Sequence, residues 1–206
     1  MEHRHGFPVP SRIHRVEETI QRSRFITTVA HAPDAEAAHS FVQRIRDEFP
    51  DATHHCWAFV AGAPGSTTSV GMSDDGEPHG TAGRPMLTVL LHSGVGEIVT
   101  VCTRYYGGTK LGTGGLSRAY AGGVKAALEA LPVEELVARA HLAVQVGYPH
   151  VDGLQRILEE MDGLVEHEAY GADVRYEVRV PELRLAAFQR ALADLTGGAG
   201  GVKRLD

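Results

Sequence analysis

Seventeen residues, "RYYGGTKLGTGGLSRAY" (Arg104 to Tyr120), hold five glycines and three cations. Ordering glycine costs more backbone freedom than ordering any other residue, so a run this dense implies a conformation that a side chain would forbid. From Gly115 onward Leu116, Tyr120, Gly123, Val124, Ala127, Leu128 and Leu131 share one helical stripe. Arg118, Gly122, Lys125 and Glu129 lie opposite. The segment therefore reads as a strand, a glycine-rich turn and a helix N-terminus. Unpaired N–H groups at such an end, together with the helix dipole, favour an anion. Arg104, Lys110, Arg118 and Lys125 supply positive charge, and no carboxylate occurs between Val101 and Leu128. The predicted anion or nucleic-acid site is Arg104, Gly107, Gly108, Lys110, Gly112, Gly114, Gly115 and Arg118. Neither standard nucleotide loop fits: Leu111 follows Lys110 where a Walker loop needs Ser or Thr, and Ser117 replaces the third glycine of the dinucleotide fingerprint. The plainer alternative is a tight crossing beside a neighbouring strand, with the cations merely solvated.

A second stretch, "SDDGEPHGTAGRP" (Ser73 to Pro85), crowds Asp74, Asp75 and Glu77 around Gly76, with His79 and Arg84 close behind. Carboxylates this close can bind a hard cation, or serve as general acid and base once their pKa values separate. Asp74, Asp75, Glu77 and His79 are thus the candidate catalytic residues. The oxygen spacing of an EF-hand is absent, so no metal site is expected. The competing reading is a turn in which Asp side chains accept backbone N–H groups and Arg84 neutralises one carboxylate. A third stretch, "HHC", places His54 and Cys56 on one strand face and His55 on the other. That is half a zinc set at most, or a buried strand. Trp57, and Tyr105 and Tyr106 beside Arg104, offer aromatic surface near cations, a combination that stacks unpaired bases.

Elements that position these residues follow from periodicity. "SRFITTVAHA" and "ATHHCWAFVAG" read as strands around a helix in which Ala38, Phe41, Val42, Ile45 and Phe49 recur at helical spacing, with Asp34 as N-cap. "STTSVGMSDDGEPHGTAG" reads as a loop with a strand near its start. "RPMLTVLLHSG" is a short helix opened by Pro85 or a buried strand, the helix preferred, and "GEIVTVCTRYY" is a strand. Beyond Pro132 the pattern is βαββαβ: "RAHLAVQVGY", a helix over Val151 to Met161 stopped by Gly163, two strands about Gly171, a helix after Pro181, and "GVKRLD". That order is ferredoxin-like. An α+β chain of two domains is predicted, residues 1–134 and 138–206.

Bulk properties bound the function. With 206 residues, 43% apolar, 22% charged and a formal net charge of −6, the chain is expected to be globular and unsuited to coating nucleic acid with its whole surface. Two cysteines, Cys56 and Cys102, make no disulfide framework. No apolar run is long enough to cross a membrane and the start lacks a secretory core, so a cytoplasmic location is expected.

Taken together, "SDDGEPHGTAGRP" and "TRYYGGTKLGTGGLSRAY" closely resemble the signature of the IMPACT family, the YigZ-like proteins. "RSRFI" (Arg22 to Ile26) and "ATHHCWAF" (Ala52 to Phe59) extend the resemblance over residues 15–130. One departure is Tyr106, where the family usually has Phe. The resemblance implies a first domain like domain 2 of ribosomal protein S5. The ferredoxin-like domain that follows resembles the last domain of elongation factor G, a two-domain layout similar to bacterial members. It further implies translation regulation: eukaryotic relatives compete for a scaffold protein that activates a kinase acting on an initiation factor. They are not known as enzymes, and no cofactor is implied. The expected function is therefore a non-enzymatic, translation-associated regulator that binds RNA, the ribosome or a protein partner through the basic glycine-rich loop. The alternative is an enzyme on a phosphorylated small molecule, with the SDDGEP carboxylates as metal or base residues. The acidic "LEEMDGLVEHEAYGADV" places any nucleic-acid contact on the N-terminal domain.

Overall fold

A computed structural model of the chain describes residues 6–205 and divides them into two units, Phe7–Leu136 and, together with Gly6, Val137 onward. The extreme ends of the expected domains, residues 1–5 and 206, lie outside the described residues.

The N-terminal unit runs β1 (Gly6–Pro10), β2 (His14–Ile20), β3 (Ser23–His31), α1 (Ala35–Glu48), β4 (His54–Val60), β5 (Val70–Ser73), α2 (Gly83–Leu91), β6 (Ile98–Tyr105), α3 (Gly112–Glu129) and β7 (Val133–Val137). Five strands form an antiparallel sheet in the order β2-β3-β6-β4-β5, while β1 pairs with β7. The central strand β6, "IVTVCTRY", is buried along almost its whole length because helices cover both faces. On one face α1 packs Ala38, Phe41, Val42 and Ile45 against Phe59, Val99 and Val101. On the other, α2 and α3 pack Met86, Leu90, Leu116, Tyr120 and Val124 against Phe25, Cys56 and Cys102. Each large side chain sealed this way contributes about 1.5–3 kcal/mol. Asp34 caps α1, its carboxylate accepting the Ala37 N–H at 2.7 Å.

"RPMLTVLL" is helical, as preferred from the sequence. The predicted boundary at Gly115 needs correction: α3 begins at Gly112, so Gly114 and Gly115 lie in its first turn. Packing of Leu116, Ala119 and Tyr120 against the sheet holds a turn that glycine propensity alone disfavours.

The C-terminal unit runs β8 (Arg139–Val146), α4 (Val151–Glu160), β9 (Leu164–Tyr170), β10 (Val174–Pro181), α5 (Leu185–Thr196) and β11 (Gly201–Arg204). Its sheet order, β11-β8-β10-β9, all antiparallel, is that of a ferredoxin-like fold. Leu142, Val144, Val146, Tyr176 and Val178 face Leu154, Leu158, Phe188 and Leu192 of the two helices. The chain is thus an α+β protein of two units, and none of its described helices is long and apolar enough to cross a membrane.

Candidate functional site

Strand register assembles the site. Within the sheet, Arg104 of β6 stands directly opposite Phe25 of β3 on one side and His54 of β4 on the other. The three side chains form one row on the face covered by α2 and α3, because directly paired residues point the same way. Arg104 is 4% exposed, with its guanidinium 5.2 Å from the Phe25 ring centroid and 5.3 Å from that of Tyr106.

The acidic turn meets this row from above. Glu77 donates its N–H to the Asp74 carbonyl at 2.9 Å, and the two residues between them, Asp75 and Gly76, have φ of +42° and +86°. Two consecutive positive φ values are what an Asp-Gly type I′ turn demands. The turn sends its three carboxylates in three directions. Asp74 reaches forward to α2, accepting N–H groups from Gly80 (2.7 Å), Ala82 (3.0 Å) and Gly83 (2.9 Å). Partial burial opposes its ionisation, but those three donors outweigh it and hold its pKa below the usual carboxylate range. Asp75 accepts the His55 N–H at 2.6 Å and an Arg46 N–H at 2.6 Å. Glu77 alone turns inward, where one oxygen accepts from Arg104 at 2.5 Å and from the Tyr120 hydroxyl at 2.7 Å. Burial above all pushes the Tyr120 phenol far up in pKa, so it remains a donor. Ser23 accepts a second Arg104 N–H at 3.1 Å, while the Arg104 Nε–H has no hydrogen-bond partner among the described residues.

His54 completes the arrangement. Its Nδ1 lies 2.8 Å from the Asp75 carbonyl, which can only accept, so Nδ1 carries a proton and Nε2 is the ring nitrogen left for a further partner. That Nε2 is 4.0 Å from the Glu77 carboxylate.

His54, Glu77, Arg104, Tyr106, Lys110, Gly112 and Thr113 line a pocket of about 480 Å³, with Pro78, Leu111 and Leu116 among its apolar walls. The first turn of α3 opens here: Gly112, Thr113 and Gly114 are exposed, no side chain among the described residues caps the helix, and no acid occupies its first turn. Lys110 is exposed beside them, and the Tyr106 ring is half exposed.

Of the residues singled out in the sequence, the pocket gathers Glu77, Arg104, Lys110 and Gly112. Gly114 adjoins it in the same exposed first turn. Arg104 differs from the solvated cation envisaged, because its charge is balanced within the protein by Glu77. Arg118 and Gly115 line a separate depression with Glu18 and Gln21. Asp74 and the exposed His79 line another with Arg84. Gly107 is a close-approach residue: a Cβ there would sit 2.0 Å from the Arg22 carbonyl oxygen. Gly108 and Gly112 adopt φ of +80° and +71° in open space. Among the described residues no group of three His, Cys, Asp or Glu side chains is placed to hold a metal ion. Cys56 and Cys102 face each other across β4 and β6 in the core. Burial lifts both thiols out of the range of nucleophiles, that of Cys102 to about 12. Trp57 stacks on Phe59 on the α1 side, away from the pocket. His54 entered the sequence reading only as a zinc candidate. Its place opposite Arg104 depends on pairing between strands some 50 residues apart, which local pattern does not carry.

The model of the Impact N-terminal domain matches residues 21–128, and that of a domain of unknown function (DUF1949) matches residues 144–199. The chain is 46% identical to the IMPACT family member YigZ of Escherichia coli, covering 93% of this chain and 94% of the relative. It is 41% identical to an IMPACT family member of Haemophilus influenzae (88% of each chain). Identity to YvyE of Bacillus subtilis is 35% (91% and 85%). A crystal structure of a hypothetical protein superposes with a TM-score of 0.73 at 44% identity, covering 98% of both chains.

Proposed function

The chain belongs to the IMPACT family, and from that premise we propose that it is a non-enzymatic, translation-associated regulator that binds RNA through the pocket at the start of α3. Family membership supports the regulatory part. What supports RNA is one convergence: the uncapped, acid-free first turn of α3, the exposed Lys110 and the half-exposed Tyr106 ring meet in a single pocket. Amides at a helix start together with a lysine suit a phosphate, and an open aromatic face suits an unpaired base. Arg104 also lines the pocket, 4% exposed, and stands behind the Tyr106 ring at 5.3 Å. The net charge of −6 confines attraction to this patch.

Fluorescence anisotropy with a labelled single-stranded oligoribonucleotide tests the reading. Affinity is expected to fall steeply as salt rises, through counterion release. Lys110→Glu is expected to remove most of the binding at low salt. Affinity indifferent to that change refutes the proposal.

A second reading, an enzyme on a phosphorylated small molecule, draws on the meeting of His54 and Glu77 with the same helix start. Of the SDDGEP carboxylates only Glu77 reaches the pocket, so a metal-assisted form of this reading rests on that one side chain. Turnover of phosphorylated metabolites with magnesium, lost in His54→Asn, would replace the first reading with this one.

A further inference from the structure

The pocket has two chemically opposite ends. At one, Lys110 and the amides of Gly112 and Thr113 offer only donors and positive charge. At the other, Glu77 and His54 sit together, with Nε2 of the ring 4.0 Å from a carboxylate oxygen. A phosphate, which only accepts, is matched by the donors of the first end, whereas Glu77 at the second end offers acceptor oxygens.

Building on the RNA reading above, we propose that the Glu77 and His54 end reads the ribose 2′-hydroxyl, so that the protein discriminates RNA from DNA. Three observations carry this. First, Arg104 and Tyr120 donate to one Glu77 oxygen, filling only two of the roughly four lone-pair sites of a carboxylate. Acceptor capacity therefore remains in a residue that lines the pocket. Second, the Asp75 carbonyl fixes the His54 ring through Nδ1, leaving Nε2 without a hydrogen bond among the described residues. Third, a hydroxyl is the one ribose substituent that brings both a proton and lone pairs to this end. It donates to the Glu77 carboxylate while accepting from Nε2 if that nitrogen bears a proton, and otherwise gives its single proton to one of the two acceptors. A deoxyribose places a C–H at this point and leaves the polar pair desolvated without a partner, which is the stronger form of discrimination. The Tyr106 ring, backed by the Arg104 guanidinium at 5.3 Å, holds the base of the same nucleotide. A volume of about 480 Å³ accommodates one nucleotide and no duplex.

The decisive experiment compares three oligomers of one length, about ten nucleotides, on the unmodified protein at low salt: oligouridylate, oligodeoxyuridylate and 2′-O-methyl oligouridylate. The ribo-oligomer is expected to bind about tenfold more tightly than the deoxy-oligomer, the effect of one hydrogen bond to a charged group. Methylation of the hydroxyl is expected to abolish the preference. In His54→Phe the ribo-to-deoxy ratio should fall to within about twofold. Equal affinity for the ribo- and deoxy-oligomers, or a ratio unchanged in His54→Phe, overturns the inference and leaves the phosphate reading standing. Failure of all three oligomers to bind overturns both together.

Discussion

The acidic turn at Ser73–Pro85 and the glycine-rich segment at Arg104–Tyr120 are the two most chemically loaded stretches of the chain, and the fold treats them differently. In the turn, all three carboxylates accept from the protein's own donors. Asp74 holds the start of α2, Asp75 ties β4 to Arg46, and one oxygen of Glu77 is taken by Arg104 and Tyr120. In the glycine-rich segment, the exposed Gly112, Thr113, Gly114 and Lys110 are left open to solvent. Charge density in a sequence therefore says little about ligand binding by itself. What matters is whether the protein's own donors and acceptors already fill the capacity, and only three-dimensional pairing decides that.

Changes on the internal side should therefore damage folding, whereas changes on the open side should damage binding. The largest effect is expected from Arg104→Ala, which strands the Glu77 charge in a site where both side chains are at most 5% exposed. Removing one partner of such a pair costs about 3–5 kcal/mol, visible as a lower midpoint in urea denaturation. Loss of less than about 1 kcal/mol would mean that the pair is not sealed as described.

The glycines divide in the same way. Gly107→Ala drives a methyl into the Arg22 carbonyl and should cost at least the upper end of the about 1–3 kcal/mol typical of overpacking. Gly114→Ala meets only the mobile end of Arg118 at 3.6 Å, within the first turn of α3. It should stabilise by about 0.5–1 kcal/mol, read as a rise in melting temperature.

Asp74→Asn is expected to cost about 1–2 kcal/mol through the weakened cap on α2. The pKa of Asp74 is depressed in the folded state, so its stabilisation is fully present above the unfolded value of about 3.9. It is lost as pH falls through the lower folded value. The stability gap between parent and variant should accordingly be widest near neutrality and close in acid. A gap that is constant with pH contradicts the carboxylate's role.

The smallest effect on folding belongs to the open side. Lys110→Ala should alter stability by no more than about 0.5 kcal/mol. Its signature is instead a reduction of about one in the salt slope of RNA binding.

How much of this was legible in the sequence depended on whether the signal was local. The C-terminal βαββαβ order follows from alternation in "RAHLAVQV" and helical spacing from Val151 to Met161, and the Asp34 cap of α1 follows from one residue. By contrast β2, "HRVEETI", is an edge strand whose polar residues show no buried face, and β1 and β7 pair across more than 120 residues. Within the site, Lys110 and the α3 start were readable from glycine spacing and the absence of acids. The burial of Arg104 against Glu77, and the arrival of His54, were not. Both rest on the register of β4 against β6 and on a type I′ turn that decides which of three neighbouring carboxylates points inward.

The most direct test of RNA binding at the start of α3 is an amide chemical-shift titration of the isotope-labelled protein with oligouridylate. The backbone N–H resonances of Gly112, Thr113 and Gly114 should move furthest and saturate together, with the Tyr106 ring responding in parallel. Saturable shifts confined to other surfaces, with those three amides stationary, would contradict the account.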